Sequence, residues 1–273
     1  MSVRIEDRQT PASITVEDLE VVFPPPTPDD PPAVAVDGVS FEINTGELVV
    51  LVGRSGCGKT SVLNVLAGLY KPTSGSVSIV GKPPLAARDH IGYMFARDGL
   101  LPWRTARRNV EFALEIRYGR SLSRSERKAR AIEYIEKVGV GHALNRYPWQ
   151  LSNGMRQRVA LARTWAIEPD VLFMDEPFAA LDAQTRAEVQ REFLDVWTRD
   201  KKTVVFVTHD LKEAILLADR IIVMRGGKVV DQVSVDIARP RDENMIEEDP
   251  AYRSMHHRLI EGLQLDHVPS REI

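Results

Sequence analysis

Residues 53–60, GRSGCGKT, have the composition and spacing of a phosphate-binding loop. Glycines let a backbone wrap closely, so that its N–H groups point at phosphate oxygens. A lysine at position 59 can meet the β- and γ-phosphates of a nucleotide, and the Thr60 hydroxyl can ligate magnesium. The alternative, a glycine-rich turn that binds nothing, leaves Lys59 and Thr60 unexplained. The residues predicted to hold the nucleotide are Gly53, Ser55, Gly56, Cys57, Gly58, Lys59, Thr60 and Ser61.

Two carboxylates, Asp175 and Glu176, follow the apolar residues 171–174, VLFM. This spacing puts both at the tip of a predicted buried strand, which is where open α/β sheets bind their ligands. Asp175 is suited to a magnesium contact, directly or through water, and Glu176 to polarising the water that attacks a γ-phosphate. Taken alone, an Asp-Glu pair before proline is typical of a solvated strand end. The phosphate-binding loop upstream favours the catalytic interpretation.

The surrounding elements must bring these residues to one edge of a sheet. The continuous apolar run 48–52 predicts a strand covered on both faces, and helical spacing from Val62 to Leu69 predicts a helix directly after the loop. Charged, helix-favouring sequence over 104–138 predicts a helical insertion, and a further helix is predicted over 183–197. This alternation favours an α/β fold with a largely parallel sheet covered by helices on both faces. Other strands are predicted at 14–23, 34–43, 91–95, 171–174 and 203–207.

Composition narrows the class of protein. The 273 residues are 43% hydrophobic and 27% charged, as in ordinary globular proteins, and the net charge of −3 argues against nucleic acid as a partner held by bulk charge. A single cysteine excludes an internal disulfide framework and favours a reducing, cytosolic setting. No apolar run approaches the roughly 18 residues of a membrane-spanning helix, so neither a membrane span nor unaided secretion is expected.

The chemistry-bearing motifs continue downstream with LSNGMRQR at 151–158, ALD at 180–182 and THD at 208–210. Together with the two motifs above, in this order, they resemble the ATP-binding-cassette (ABC) ATPases over about residues 14–235. The resemblance implies an α/β P-loop NTPase core of ABC ATPase type, with an antiparallel β subdomain and an inserted α-helical subdomain at about 96–158. A flexible N-terminal tail, 1–13, and a C-terminal extension, 236–273, are expected to flank this ATPase domain.

The resemblance also implies roles for five residues outside the loop. Ser152 and Gly154 would start a helix whose N-terminus faces the γ-phosphate held by a second cassette, and Asp182 would link the two sites of the dimer. His209 would hydrogen-bond the γ-phosphate and act in catalysis with Glu176 and Lys59. Phe23 would stack on adenine. A structural histidine at a strand end and a plain core phenylalanine remain the alternatives for His209 and Phe23, because the proline-rich loop 24–32 blurs the register after Phe23.

Two positions depart from the family pattern. Ala96 stands where a glutamine is usual, and a methyl group can neither coordinate magnesium nor hold the attacking water. That role is therefore lost or moved to a neighbour, and Asp98 is the nearby carboxylate that could ligate the metal. Asn153 stands where a glycine is usual; asparagine tolerates left-handed backbone angles better than other side chains do, so the turn can survive. Our hypothesis is that hydrolysis persists with a weakened metal contact.

The segment LLPW at 100–103 indicates which branch of the family the chain resembles. Exposed, it would form an apolar patch of the kind that a partner covers, and in this family that region receives the coupling helix of a membrane permease. With Met155 and DIARPR at 236–241, it resembles the nitrate, sulfonate, taurine and bicarbonate import cassettes. Core packing is the alternative for Trp103. The residues expected to contact the permease are Leu100, Leu101, Pro102 and Trp103.

The resemblance therefore implies an ATPase that binds ATP and Mg²⁺, pairs with a second ATP-binding subunit as a nucleotide-sandwich dimer, and powers solute import through a permease supplied by a solute-binding protein. Such a subunit would sit on the cytoplasmic face of the plasma membrane. Two alternatives stay open: a nucleotide-binding regulatory cassette with little hydrolysis, and a soluble ABC ATPase acting on ribosomes or DNA. The sequence identifies neither the solute nor whether the dimer contains one kind of subunit or two.

Overall fold

The computed structural model describes residues 12–25, 27, 30–241 and 249–264. The predicted tail lies outside this range except for Ala12 and Ser13, where the prediction is wrong because both residues begin a strand. Ala12 pairs with Asn44, and the Ser13 carbonyl accepts a hydrogen bond of 2.7 Å from the Val80 N–H. Most of the acidic stretch 242–249 and part of the proline-rich loop 24–32 also lie outside the described residues.

Nine strands form two sheets within the described residues. The larger has the order β5-β6-β7-β3-β8-β9, parallel except for the pair of β8 and β9, which confirms the predicted parallel sheet. The smaller is antiparallel, in the order β2-β1-β4. The strands are β1 (Ala12–Phe23), β2 (Ala33–Asn44), β3 (Leu48–Val52), β4 (Ser74–Ile79), β5 (Ile91–Met94), β6 (Val171–Asp175), β7 (Thr203–Thr208), β8 (Arg220–Arg225) and β9 (Lys228–Ser234).

Seven α-helices lie in the part of the chain that the structure describes. They are α1 (Lys59–Leu66), α2 (Ala106–Tyr118), α3 (Arg124–Lys137), α4 (Asn153–Ala166), α5 (Ala183–Asp200), α6 (Leu211–Leu217) and α7 (Pro250–Gln264). None of them is both long and apolar enough to cross a membrane.

Helix α1 joins the two sheets. Its Val62 and Leu63 share one buried cluster with Val36 of β2 and with Val49 and Leu51 of β3. Every residue of β3 is buried, as the continuous apolar run predicts for a strand covered on both faces. The predicted phosphate-binding loop connects β3 to α1, so the packing of this helix fixes the position of the loop between the sheets.

The predicted helical insertion consists of α2, α3 and α4, which pack against one another. Thr105, Ser123 and Ser152 cap the three N-termini, each accepting a hydrogen bond from a backbone N–H three residues on. Helix α4 continues past the predicted limit of about 158, because its second half enters the main core, where Trp165 lies edge-on to Phe193 of α5. The insertion is therefore anchored to the large sheet through α4.

The start of the C-terminal extension is fixed by two arginines. The guanidinium of the buried Arg241 donates to the carbonyl oxygens of Ile215 (2.7 Å) and Ala218 (2.6 Å), and Arg239 donates to Leu217. Positive charge at the carboxyl end of α6 satisfies carbonyl groups that the helix leaves unpaired and complements its dipole. Helix α7 follows, packing against α6 and β8, and is longer than the short helix predicted near 257–263.

Candidate functional site

The loop 53–60 forms a cradle at the carboxyl end of β3. Its residues 54–56 and Thr60 are exposed, whereas Lys59 is buried. The Lys59 ammonium donates to the carbonyl oxygens of Gly53 (2.8 Å) and Arg54 (3.1 Å). An ammonium has three donors, so these two bonds fix its direction and leave a third for a phosphate oxygen. The N-terminus of α1 adds positive potential to the same place.

The back of this cradle lies directly against the small sheet. Gly58 has φ +102°, and a Cβ atom there would overlap the carbonyl oxygen of Ala35 in β2. Gly56 also has a positive φ, +80°, but the space beside it is open. Both backbone angles favour glycine, and the approach to β2 requires it at position 58.

Thr60 and Asp175 meet at the mouth of the cradle. The Thr60 hydroxyl donates to Asp175 Oδ1 at 3.0 Å, although β7 separates β6, which ends at Asp175, from β3, which precedes the loop. Burial raises the pKa of the Asp175 carboxyl above its ordinary value, while the Thr60 hydrogen bond acts in the opposite direction. A hydroxyl and a carboxylate oxygen fit Mg²⁺, which prefers hard oxygen ligands and takes few from the protein. The described residues contain no cluster of three or more His, Cys, Asp or Glu side chains that could hold a metal ion.

Glu176 and His209 also lie together. His209 Nδ1 is 3.2 Å from Glu176 Oε2, and the His209 ring is exposed rather than part of the core. Glu176 has a left-handed backbone, φ +44°, which is held because its N–H donates to the Val207 carbonyl at 3.0 Å. A non-glycine residue in this region is costly and is often retained at functional sites. The sheet edge thus holds Glu176 beside the cradle with an imidazole to orient its carboxylate.

Gln157 belongs to the candidate site, although the sequence pattern predicts no role for it. Its buried side chain donates to the carbonyl of Pro177, the residue after Glu176. Helix α4 therefore supports the strained turn at Glu176 across the domain. The sequence does draw attention to Gln157, because this residue belongs to the LSNGMRQR segment. Its partner Pro177 lies 20 residues away, so residue spacing could not predict the contact.

The starts of α4 and α5 lie side by side. Ser152 caps α4 by accepting from Met155 N, and Asp182 caps α5 by accepting from Thr185 N at 3.0 Å. Gly154 is buried against the Thr185 methyl group. The hydrogen bonds that Asp182 accepts from Thr185 lower the pKa of the Asp182 carboxyl, so it stays a carboxylate. Ser152 and Asp182 are both exposed, so two helix N-termini present polar groups on one surface.

Asn153 needs no left-handed backbone, so that sequence expectation is wrong. Asn153 is the first residue of α4 and is not among the described residues with positive φ. The turn into the helix is made instead by Ser152, whose extended backbone (φ −65°, ψ 165°) is that of an ordinary N-cap. The Asn153 side chain is exposed and accepts a hydrogen bond from Arg156.

Phe23, at the end of β1, is a surface aromatic rather than a core residue. Its side chain is 38% exposed, and its ring is perpendicular to that of Tyr70, with the centroids 5.7 Å apart. Tyr70, four residues beyond the end of α1, was not among the predicted site residues. Two exposed aromatic rings that lie against each other can bind a flat base. The sequence feature that could have identified Tyr70 is its position directly after the predicted helix, at residues 62–69.

The segment 100–103 is less exposed than the sequence predicts. Trp103 is 69% exposed and Pro102 is exposed, so core packing of Trp103 is excluded. Leu101 is half-buried, and the expectation that Leu100 belongs to an exposed patch is wrong. Leu100 is buried because it packs into the cluster that includes Ala106 and Val110 of α2.

The sequence is similar to known ATP-binding proteins of ABC transporters. The sequence profile of the ABC transporter family matches residues 36–179, more than half of the chain. An uncharacterized ABC transporter ATP-binding protein of Methanocaldococcus jannaschii is 45% identical over 215 residues, 78% of this chain and 79% of that protein. The bicarbonate transport ATP-binding protein CmpD of a Synechocystis strain is 37% identical, over 94% of this chain and 91% of that protein. The nitrate import ATP-binding protein NrtD of Synechococcus elongatus is 39% identical and covers 87% of both.

Two solved structures similar to this chain are dimeric. The ATP-binding cassette MJ0796, in a post-hydrolysis dimer bound to ADP and Pi, superposes with a TM-score of 0.74 at 31% identity. The superposition covers 82% of this chain and the whole MJ0796 chain. A second dimeric structure of MJ0796 gives a TM-score of 0.73 at 32% identity with the same coverage.

Proposed function

The chain belongs to the ABC transporter family of ATP-binding proteins, and from this premise we propose that it is the ATP-hydrolysing motor of a solute importer. Two cassettes would sandwich two nucleotides and drive a membrane permease. The observation that carries the proposal is the meeting of two side-chain pairs at one sheet edge. Thr60 with Asp175 and Glu176 with His209 lie beside a loop whose backbone and lysine suit phosphates.

Each pair has a distinct part in the proposed reaction. Loop N–H groups and Lys59 bind the phosphates and stabilise the charge that spreads over the transferring phosphoryl oxygens. Glu176 accepts the proton of the attacking water, and His209 holds the Glu176 carboxylate in place. Thr60 and Asp175 would hold Mg²⁺, which when bound supplies positive charge to the phosphates. Positioning and electrostatics account for the rate, because the protein forms no covalent bond to the phosphoryl group.

A second copy would complete the site. Ser152 and the N-terminus of α4 point a helix dipole and an exposed hydroxyl toward solvent, where they suit a γ-phosphate bound by a partner. Asp182 lies beside them, because Gly154 and Thr185 bring the two helix starts together. The dimeric cassettes of similar structure support this arrangement. The permease would hold the subunit at the cytoplasmic face of the plasma membrane.

The solute is selected elsewhere. The relatives named for bicarbonate and nitrate differ from this chain by similar amounts, at 37% and 39% identity. Cassettes that serve two different anions are thus about equally like this one. We therefore assign solute choice to the permease and the solute-binding protein rather than to this subunit.

The first test asks whether Ala96 permits hydrolysis. We expect the wild type to hydrolyse ATP with Mg²⁺, and Ala96→Gln to bind Mg²⁺–ATP about tenfold more tightly by adding an oxygen ligand. The measurement is the Mg²⁺ dependence of phosphate release. Ala96→Leu is the control, since it adds volume without an oxygen. A wild type that is inactive until Ala96→Gln restores turnover would favour the regulatory cassette instead, which Ala96 and Asn153 make the second candidate.

The second test concerns the permease contact. We expect Trp103→Ala to leave ATP binding by the isolated subunit unchanged and to abolish co-purification with the permease, because the exposed indole is the largest apolar group of the segment. Leu85→Ala removes another half-exposed apolar side chain, from the connection between β4 and β5, and should leave co-purification intact. Equal recovery of the permease with both variants would contradict the proposed contact.

A further inference from the structure

The turn between β8 and β9 lies against the cradle. The Gly227 N–H donates to the Cys57 carbonyl at 3.2 Å, and the Gly227 carbonyl accepts from the Asp37 N–H of β2 at 2.9 Å. The carbonyl of Met224 approaches so closely that a Cβ atom at position 53 would come within 2.5 Å of its oxygen. The turn therefore fills the space between the loop and the small sheet.

The bond to the Cys57 carbonyl also fixes the direction of a neighbouring N–H group. The Cys57 carbonyl and the Gly58 N–H belong to one planar trans peptide, so they point in opposite directions. Holding the carbonyl toward Gly227 turns the Gly58 N–H away from the turn. Gly58 is the residue before α1, where an N–H group has no partner within the helix and is available to a phosphate oxygen.

Helix α7 holds both strands of this hairpin. At the end of β8, the Arg225 guanidinium donates to the Gly262 carbonyl at 2.9 Å. In β9, the Asp231 carboxylate accepts two bonds of 2.8 Å from Arg258, and such two-point pairs are strong and directional. Gly262 also packs against Val223 of β8. The contacts to α7 thus lie on both sides of the turn at 226–227.

Helix α7 is itself anchored in the main core. Its Tyr252 and Leu259 are buried in the cluster that includes Leu217 of α6, Val223 of β8 and Val233 of β9. A chain of contacts therefore runs from the core through α7 to the hairpin, and from the turn of the hairpin to the loop 53–60. None of the chemistry-bearing motifs of the sequence lies in α7.

We propose that α7 is a positioning element for nucleotide binding. Through Arg225 and Arg258 it holds the β8–β9 turn against Cys57, and it thereby sets the affinity of the loop for the phosphates of ATP. Displacing α7 would lower ATP affinity and leave the chemical step at Glu176 unchanged, because β6 and β7 hold that residue. The inference rests on the proposed function, because it requires ATP bound at 53–60.

The variant Arg258→Gln of the full-length chain tests this. The Arg258 side chain is 55% exposed, so its loss should leave the fold intact. We expect the Kd for Mg²⁺–ATP to rise about fivefold, the scale of an exposed ion pair, and kcat at saturating ATP to stay within about twofold of the wild type. Arg258→Lys keeps the charge and should recover most of the affinity. Titration calorimetry gives Kd, and phosphate release gives kcat.

Amide NMR spectra of the nucleotide-free protein supply a second readout. In Arg258→Gln the signals of Gly227 and Gly58 should shift, because the turn and the loop move together. The Ser152 signal, at the start of α4, should stay at its wild-type position. A variant that is merely less stable would not confine its changes to the hairpin and the loop.

Two further variants keep the test decisive. His257→Gln is the matched control, because this exposed neighbour of Arg258 pairs only within α7, with Glu261, among the described ion pairs. Its Kd for Mg²⁺–ATP should equal that of the wild type. Leu259→Ala loosens α7 in the core and should raise the Kd about tenfold. If Leu259→Ala does not fold, Arg258→Gln decides the question.

The outcomes separate the two proposals. An unchanged Kd in Arg258→Gln overturns the inference and leaves the proposed function standing. An equal rise in His257→Gln also overturns it, and so does a rise in Arg258→Gln without movement of the Gly227 and Gly58 signals. A wild type that does not bind Mg²⁺–ATP would end the proposed function, and the inference with it.

Discussion

Replacing Glu176 by Gln should lower ATP turnover about 10³-fold while ATP still binds with nearly wild-type affinity. An amide cannot take the proton of the attacking water, but it has almost the same shape as the carboxylate. The hydrogen bonds of the Glu176 backbone to Val207 and Ala179 do not involve the side chain, so the left-handed turn should survive. Steady-state phosphate release gives the turnover, and titration calorimetry gives the affinity for ATP.

Glu168→Gln is a matched control for this variant. Glu168 is another glutamate with a left-handed backbone, φ +47° against +44° for Glu176, but it lies after α4 and pairs with Arg130. The same substitution there should leave turnover within about twofold of the wild type, because no proton transfer depends on it. If Glu176→Gln also turned over at the wild-type rate, Glu176 would not be the base. If Glu176→Gln lost ATP affinity by as large a factor as turnover, Glu176 would instead be a residue that binds ATP.

The sequence predicted the positions of those candidate-site residues that are neighbours along the chain. The loop 53–60 sits between a continuous apolar strand and a helix, and this local context alone indicates a phosphate cradle. Asp175 and Glu176 were placed by the same logic, because a buried parallel strand delivers whatever follows it to the carboxyl edge. The predicted helices and buried strands also had strong periodicity, and these elements are present.

Features that depend on distant or weakly patterned segments were missed. Strand β4, SGSVSI, is polar, and β9 lies at the edge of the sheet with every second residue exposed, so neither has a strong apolar signal. Strand β8 does contain an apolar run, IIVM, although no strand was predicted there. The pairing of Arg156 with Asp98 joins residues 58 apart, and only tertiary packing could reveal it. Burial of Leu100 has the same origin, since an apolar run does not say which of its members face inward.

The phosphate cradle should tolerate a methyl group at Gly56 but not at Gly58. Both glycines have left-handed backbones, so alanine costs about 1 kcal/mol at either position from the backbone alone. At Gly58 the new Cβ would also overlap the Ala35 carbonyl in β2, and relieving that overlap should bring the total to about 3 kcal/mol. The loop would have to move away from the small sheet, and its N–H groups would lose their alignment.

We therefore expect Gly58→Ala to lower Tm by about 8 °C and ATP affinity about 100-fold, because two or so charge-assisted hydrogen bonds to phosphate are lost. Gly56→Ala should lower Tm by about 3 °C and keep ATP affinity within about threefold, since its N–H stays in place beside open space. Thermal unfolding with and without Mg²⁺–ATP measures both quantities. Equal losses of ATP affinity in the two variants would mean that backbone angle alone, and not the contact with β2, sets the shape of the cradle.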